Sequence, residues 1–284
     1  MSLETTTTPY LELNDGHRIP QLGFGVFKVP PERTAGIVAD ALRAGYRLID
    51  TAAMYGNERG VGEAIAASGL EREELFVTTK VWNDDQGAAR TVRAFERSLD
   101  QLGLEYLDLY LIHWPAPAQD LFAESWKALI ELRASGQVRS IGVSNFLPHH
   151  LERIIEETGH VPAVNQIELH PWLAQAQLRE LHARHGILTE AWSPLGRARF
   201  LDDEVVTGIA ARLGRTPAQV VLRWHVQLGH VAIPKTVTPA RMRENLELFD
   251  FELSPADMSA LARLDAGRRT GPDPATFPAP AGLR

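Results

Sequence analysis

Leu107-Asp108-Leu109-Tyr110-Leu111-Ile112-His113 is a short, near-continuous apolar run that ends on a histidine. A run of this length and composition reads as a strand buried on both faces of a parallel sheet. It lies between two helical patterns, 88–102 and 121–135. Outward from it the same unit repeats. Strands are expected at 23–29, 47–51, 75–81, 107–113, 138–143, 163–169, 187–191 and 231–234. Helices are expected at 31–44, 88–102, 121–135, 147–158, 175–185, 217–228 and 239–248, and Gly60-Val61-Gly62 sits in a further helical pattern. Several of these end at glycine (Gly45, Gly103, Gly136, Gly159, Gly186 and Gly229), the residue that most easily takes the left-handed C-cap conformation.

Eight strands alternating with eight helices make either a (β/α)8 barrel, the TIM barrel of the α/β class, or a large doubly wound sheet. Even spacing without a linker or composition break favours one barrel domain over residues 1–284. Ahead of it, Tyr10-Leu11-Glu12-Leu13 alternates, Asn14-Asp15-Gly16 turns and Arg18-Ile19-Pro20 returns, a β-hairpin read as a cap. Segments 202–213 and 254–265 exceed the repeat and are expected as two extra helices. The tail from Arg268, rich in proline and glycine, is expected to be a loop that orders on binding.

Composition removes several function classes. The formal charge is −7 and no basic stripe is visible, which argues against nucleic acid as a partner. With no cysteine there are no disulfides, no thiol catalysis and no cysteine-ligated zinc. No apolar run approaches the ~18 residues needed to cross a membrane, and residues 1–9 lack the apolar core of a secretory signal. The cytoplasm is the expected compartment.

In a barrel of this kind the active site is built at the C-terminal ends of the strands. Those ends carry Asp50, Lys80, His113, Ser144-Asn145, Gln166 with Glu168 and His170, Trp192-Ser193 and Lys235. Polar residues also mark where any strand meets solvent. That explanation fits poorly an Asp, a Lys and a His at equivalent depth on three adjacent strands. Tyr55 lies just past the second strand, where a loop leans it over the mouth. A tyrosine is a weak acid of pKa about 10, and a nearby ammonium lowers that value. Lys80 is placed to provide the ammonium, Asp50 to pair with it, and His113 to orient a substrate oxygen. Together they make a proton-donating site without metal or nucleophile.

At these residues the chain resembles the aldo-keto reductases. The resemblance is carried by Leu48-Ile49-Asp50-Thr51-Ala52 with Tyr55-Gly56-Asn57-Glu58, by Val77-Thr78-Thr79-Lys80-Val81-Trp82, and by Leu109-Tyr110-Leu111-Ile112-His113-Trp114. It continues through Ile141-Gly142-Val143-Ser144-Asn145-Phe146, Asn165-Gln166-Ile167-Glu168-Leu169-His170-Pro171 and Ile233-Pro234-Lys235-Thr236. Within the family, residues 21–29 and the tail 271–277 are most similar to bacterial reductases of the 2,5-diketo-D-gluconate reductase type. The resemblance implies hydride transfer from NADPH to a carbonyl carbon, with Asp50, Tyr55, Lys80 and His113 as the catalytic tetrad and Tyr55 as proton donor.

It also implies a cofactor lying across the barrel mouth, so the absence of a Rossmann fingerprint is expected. Gly23-Phe24-Gly25 and Gly60-Val61-Gly62 both lack the third glycine and read as packing or turn glycines. Ser144, Asn145 and Gln166 match contacts to the nicotinamide carboxamide, and Trp192 matches the residue stacked on its ring. Ser193, Leu195 and Gly196 match the pyrophosphate loop, and Glu244 and Asn245 match adenine contacts. Lys235, Thr236 and Arg241 match the 2′-phosphate site, which favours NADPH, with NADH as a weaker alternative. Phe27, Trp82, His113 and Trp114 are the expected substrate contacts, and small aldehydes, dicarbonyls and keto-sugars suit them. A monomer is expected.

Two other readings compete. A metal-dependent barrel hydrolase needs closely spaced inward histidines such as His-x-His on the first strand, and none exists. His182 and His185 read as a solvated helix face. A nucleotide-holding channel subunit is disfavoured by the complete tetrad.

Overall fold

Strands buried on both faces are mostly apolar, yet each successive side chain still chooses one of two environments. In the computed structural model those environments are the barrel interior and the layer beneath the helices. The structure describes residues 8–277; residues 1–7 and 278–284, which belong to the expected domain span, lie outside them. A hairpin of β1 (Tyr10–Glu12) and β2 (Arg18–Pro20) comes first. Eight parallel strands follow: β3 (Gly23–Gly25), β4 (Leu48–Asp50), β5 (Phe76–Val81), β6 (Leu107–Ile112), β7 (Val138–Ser144), β8 (Val164–Glu168), β9 (Leu188–Trp192) and β10 (Val231–Ile233). They pair in sequence order, and the ring closes where Leu22 bridges Ala232 and Gly25 N–H donates to Pro234 O.

The helices of the repeat are α1 (Pro31–Ala44), α2 (Glu58–Ala66), α3 (Ala88–Leu102), α4 (Phe122–Ala134), α5 (Pro148–Thr158) and α6 (Ala176–His185). After β9 comes the extra helix α7 (Glu204–Leu213), then α8 (Pro217–Gln227), α9 (Pro239–Leu246) after β10, and the extra helix α10 (Pro255–Ala262). The expected barrel, hairpin cap and two extra helices are all present. The first strand is shorter than the expected 23–29. Lys28 takes φ 60° and Val29 N–H turns back onto Val26 O, so the chain has left the sheet.

Alternation divides the core in two. Leu48, Phe76, Leu109, Leu111, Val164, Val231 and Ile233 fill the lower barrel interior, sealed by Leu13 and Ile19 of the hairpin region. Ile49, Val77, Tyr110, Ile112, Val143, Ile167 and Ala232 face outward into the larger core under the helices. Both glycine pairs read as packing residues are that. A Cβ on Gly23 would sit 2.5 Å from Ile233 Cδ1, and one on Gly62 would sit 2.1 Å from the carbonyl oxygen of Leu102.

His182 departs from its expected place on a solvated face. It is buried, with Nδ1 against Thr189 Oγ1 at 2.8 Å and Nε2 against the Asn165 amide at 2.9 Å. Its partner in sequence, His185, is exposed. Burial holds His182 and His225 neutral to about pH 3, and His230 to about pH 2, with nearby cations adding to the effect. Their unfolded pKa is about 6.5, so below that value the unfolded chain binds protons that the folded one refuses. Each histidine therefore costs about 2 kcal/mol of stability by pH 5. Glu190, whose buried carboxyl stays protonated, offsets about one of the three. Thermal melts are expected to show Tm falling steadily from pH 6.5 to 5. A flat profile would contradict the burial of these neutral rings.

Candidate active site

Residue pairing carries inward-facing positions upward around the barrel. Asp50 pairs with Thr78, two below Lys80, and Lys80 pairs with Leu111, two below His113. A period of two keeps all three side chains on the inner face. Above the apolar interior Asp50 and His113 line a cavity of about 590 Å³ whose walls also include Tyr55, Trp82, Trp114, Trp192 and Phe277.

Lys80 is fully buried. Its ammonium donates to Asp50 Oδ1 at 2.8 Å, to Asp50 Oδ2 at 2.7 Å and to Thr51 O at 2.7 Å, which uses all three protons. The Tyr55 ring lies over it, centroid 5.4 Å from Nζ, on the short turn Ala53–Tyr55. Sequence reasoning expects Lys80 to lower the Tyr55 pKa. The direction is the opposite: burial first, then the Asp50 charge, hold Tyr55 well above its ordinary value. Lys80 is neutralised by Asp50, so Tyr55 rests as a neutral phenol. His113 is edge-on to Tyr55 (centroids 5.7 Å) and to Trp82 (5.1 Å). Burial and the Lys80 charge push its pKa well down, so the imidazole is neutral as well.

The opposite wall is an amide network. Gln166 Nε2 donates to Asp50 Oδ2 at 2.8 Å and to Glu190 Oε2 at 2.9 Å, leaving Gln166 Oε1 as its unused acceptor. Asn145, at φ 63°, spends both Nδ2 protons on His113 O and Ser144 Oγ, and its Oδ1 takes the Trp192 indole N–H at 2.8 Å. Ser144 Oγ donates to Gln166 O. Ser144, Asn145 and Gln166 thus present acceptor capacity to the cavity, which complements the N–H2 end of a carboxamide.

Ser193, Leu195 and Lys235 line the cavity, as do the expected substrate contacts Phe27, Trp82, His113 and Trp114. Gly196 packs beneath the loop, where a Cβ would meet the Phe200 ring at 2.2 Å. Thr236, Arg241, Glu244 and Asn245 lie beyond the cavity wall, on α9 and the turn before it. Glu244 accepts from Thr216 Oγ1 at 2.7 Å, and Asn245 is buried beside the Tyr46 hydroxyl. Burial, then the charges of Arg33 and Lys28, lower the Lys235 pKa, so three cations crowd one side of the mouth. Among the described residues none of the three, nor Arg241, has a carboxylate partner.

Sequence reasoning passed over Lys28, Arg33 and Glu190. Glu190 pairs with Gln166 across the sheet and stands two before Trp192, so strand alternation alone placed it inside the barrel. Burial and the Asp50 charge push its carboxyl up to about 8. The folded state must therefore hold a proton that the unfolded chain releases above pH 4.5, and Glu190 costs stability that grows from pH 4.5 to about 8. Glu190→Gln removes that cost. Its Tm is expected to exceed the parent's by a few degrees at pH 8 and to converge with it near pH 4.5. A difference independent of pH would contradict the buried acid.

Residues 21–266 match the model of the aldo/keto reductase family. An aldo-keto reductase of Mycolicibacterium smegmatis is 57% identical over 270 residues, covering 95% of this chain and 98% of the relative. A Yersinia pestis protein named methylglyoxal reductase DkgA is 51% identical, covering 96% and 98%. A mutant of Gox0644 solved in complex with NADPH superposes with a TM-score of 0.92 at 51% identity, covering 95% of this chain and 99% of the other.

Proposed function

The chain belongs to the aldo/keto reductase family, and we propose that it reduces small aldehydes and ketones to alcohols with NADPH, Tyr55 donating the proton. The observation that carries this reading is a neutral phenol above a buried, fully hydrogen-bonded Asp50–Lys80 pair, beside a neutral His113, in an aromatic cavity. Bound across the mouth, NADPH supplies the hydride that the carbonyl carbon accepts. His113 donates a hydrogen bond to the carbonyl oxygen and holds it beneath the Tyr55 hydroxyl. Tyr55 gives its proton to that oxygen as the alcohol forms. The phenolate left behind has the Lys80 ammonium 5.4 Å from its ring centroid, an opposite charge that attracts it. Asp50 fixes Lys80 in place.

The chain has a fitting place for each part of NADPH. Trp192 offers its indole face at the cavity wall, anchored through its N–H, and Ser144, Asn145 and Gln166 offer acceptors for a carboxamide. Ser193, Leu195 and Gly196 hold the diphosphate. Lys235, Thr236 and Arg241 receive the 2′-phosphate, joined by the unpaired cations Lys28 and Arg33 nearby. Glu244 and Asn245 flank the adenine. The mutant of Gox0644 crystallised with NADPH supports NADPH as the cofactor.

Phe27, Trp82, His113 and Trp114 form the carbonyl pocket. Uncharged aromatic walls suit small dicarbonyls and keto-sugars, 2,5-diketo-D-gluconate among them, and the relatives named methylglyoxal reductase support the dicarbonyl end of that range. A monomer is the proposed state and the cytoplasm the proposed compartment. No helix of the described residues is long and apolar enough to cross a membrane.

Tyr55→Phe is expected to lower kcat for a test aldehyde by roughly 10²–10⁴-fold, the usual worth of a positioned general acid. Lys80→Met should abolish reduction while NADPH still binds, as measured by fluorescence quenching. Near-normal turnover in either variant would refute the proton-donor assignment. In a second experiment, Lys235→Gly combined with Arg241→His is expected to weaken NADPH binding more than NADH binding. Equal losses for the two would remove the 2′-phosphate role.

A further inference from the structure

Glu168 closes β8 with a carboxylate that has no exposure to water. Its Oε1 accepts from Thr270 N–H at 2.5 Å, Thr270 Oγ1 at 2.6 Å, His170 Nε2 at 3.1 Å and Gly271 N–H at 3.3 Å. Its Oε2 accepts from Gly271 N–H at 3.2 Å and lies 4.0 Å from the Arg269 guanidinium. Burial alone pushes a carboxyl up, yet the bonds from His170 and Thr270 hold this one below its ordinary value. Glu168 is therefore an ionised acceptor, and hydrogen bonds to an ionised partner are roughly twice as strong as neutral ones.

The segment it holds, residues 268–277, crosses the mouth of the cavity. Arg268 N–H is tied to Trp172 O before the Glu168 contacts. Beyond them Pro272 and Phe277 enter the cavity wall. Phe277 stacks on Trp114, centroids 4.4 Å apart, and meets Trp82 at 6.2 Å. Gly271 lies against the indole of Trp192, so closely that a Cβ there would fall 2.4 Å from Cη2. One carboxylate thus holds the segment that places Phe277 on the aromatic wall and Gly271 beside the indole edge.

We propose that Glu168 is a positioning residue that determines substrate size selectivity, its buried carboxylate latching the segment 268–277 so that Phe277 closes the carbonyl pocket. This rests on the cavity being the reductase site. Glu168→Gln is isosteric but loses the charge that binds four donors. The carbonyl KM for methylglyoxal should rise at least about tenfold, the size of one lost charge-assisted hydrogen bond, while kcat changes much less. Selectivity between methylglyoxal and a bulkier aromatic aldehyde should narrow by a similar factor. Independently of activity, trypsin should cut after Arg269 faster in the variant than in the parent at equal Tm. Thr270→Val, which removes one donor from the rim and leaves the buried charge intact, should show the same changes in smaller degree and serves if Glu168→Gln does not fold. Parent-like KM, selectivity and cleavage in the folded variant would overturn the latch and leave the reductase reading untouched. No turnover by the parent enzyme would overturn the reductase reading, while the cleavage rates would still decide whether Glu168 holds the segment.

Discussion

Lys80 has no contact with water, so its charge is tolerable only because Asp50 and the Thr51 carbonyl take all three of its protons. Breaking such a pair by removing one partner typically costs about 3–5 kcal/mol, because the survivor is left charged and dry. The rest of the site is arranged around that constraint. Asp50 Oδ2 also accepts from Gln166 Nε2, which donates to Glu190 Oε2 as well. The strands that carry these groups, β4, β5, β8 and β9, are brought to one interior by barrel closure.

The barrel separates two tasks by depth. The lower interior is aliphatic and sealed by the hairpin region, while the upper interior is polar and hydrogen-bonded. A low-dielectric floor beneath an ion pair strengthens the pair and sharpens its effect on what lies above. It also explains why Tyr55 and His113 are both neutral. Burial disfavours the phenolate of one and the imidazolium of the other. In the proposed reaction this leaves one donor of protons and one orienting hydrogen bond, with the ammonium held for the product phenolate.

The barrel is legible in the sequence because most strands are short apolar runs ending in a polar residue, and most helices are bounded by turn chemistry. Asp50, Lys80 and His113 were legible for the same reason. Glu190 was not noticed because it sits inside a run, not at its end, although alternation with Trp192 would have shown its direction. The sign of the Tyr55 shift was out of reach, since it depends on how completely Asp50 neutralises Lys80. His182 was misread because both its partners, Thr189 and Asn165, come from neighbouring strands. The grip of Glu168 on Thr270 was invisible for the plainest reason: the two are 102 residues apart, and no local pattern links them.

That separation bears on how the protein comes into being. Gln166 reaches back 116 residues to Asp50, and Thr270 reaches back 102 to Glu168. Contacts between such distant parts of a chain form slowly, because a large loop must be closed before they repay anything. During synthesis the strands that bear Asp50 and Lys80 emerge long before β8 and the final segment exist. A partly made barrel lacks Val164, Val231 and Ile233 of the aliphatic floor as well as the assembled mouth. The competence to bind and reduce arrives last, so enzymatic activity in a refolding experiment times the closing of the ring.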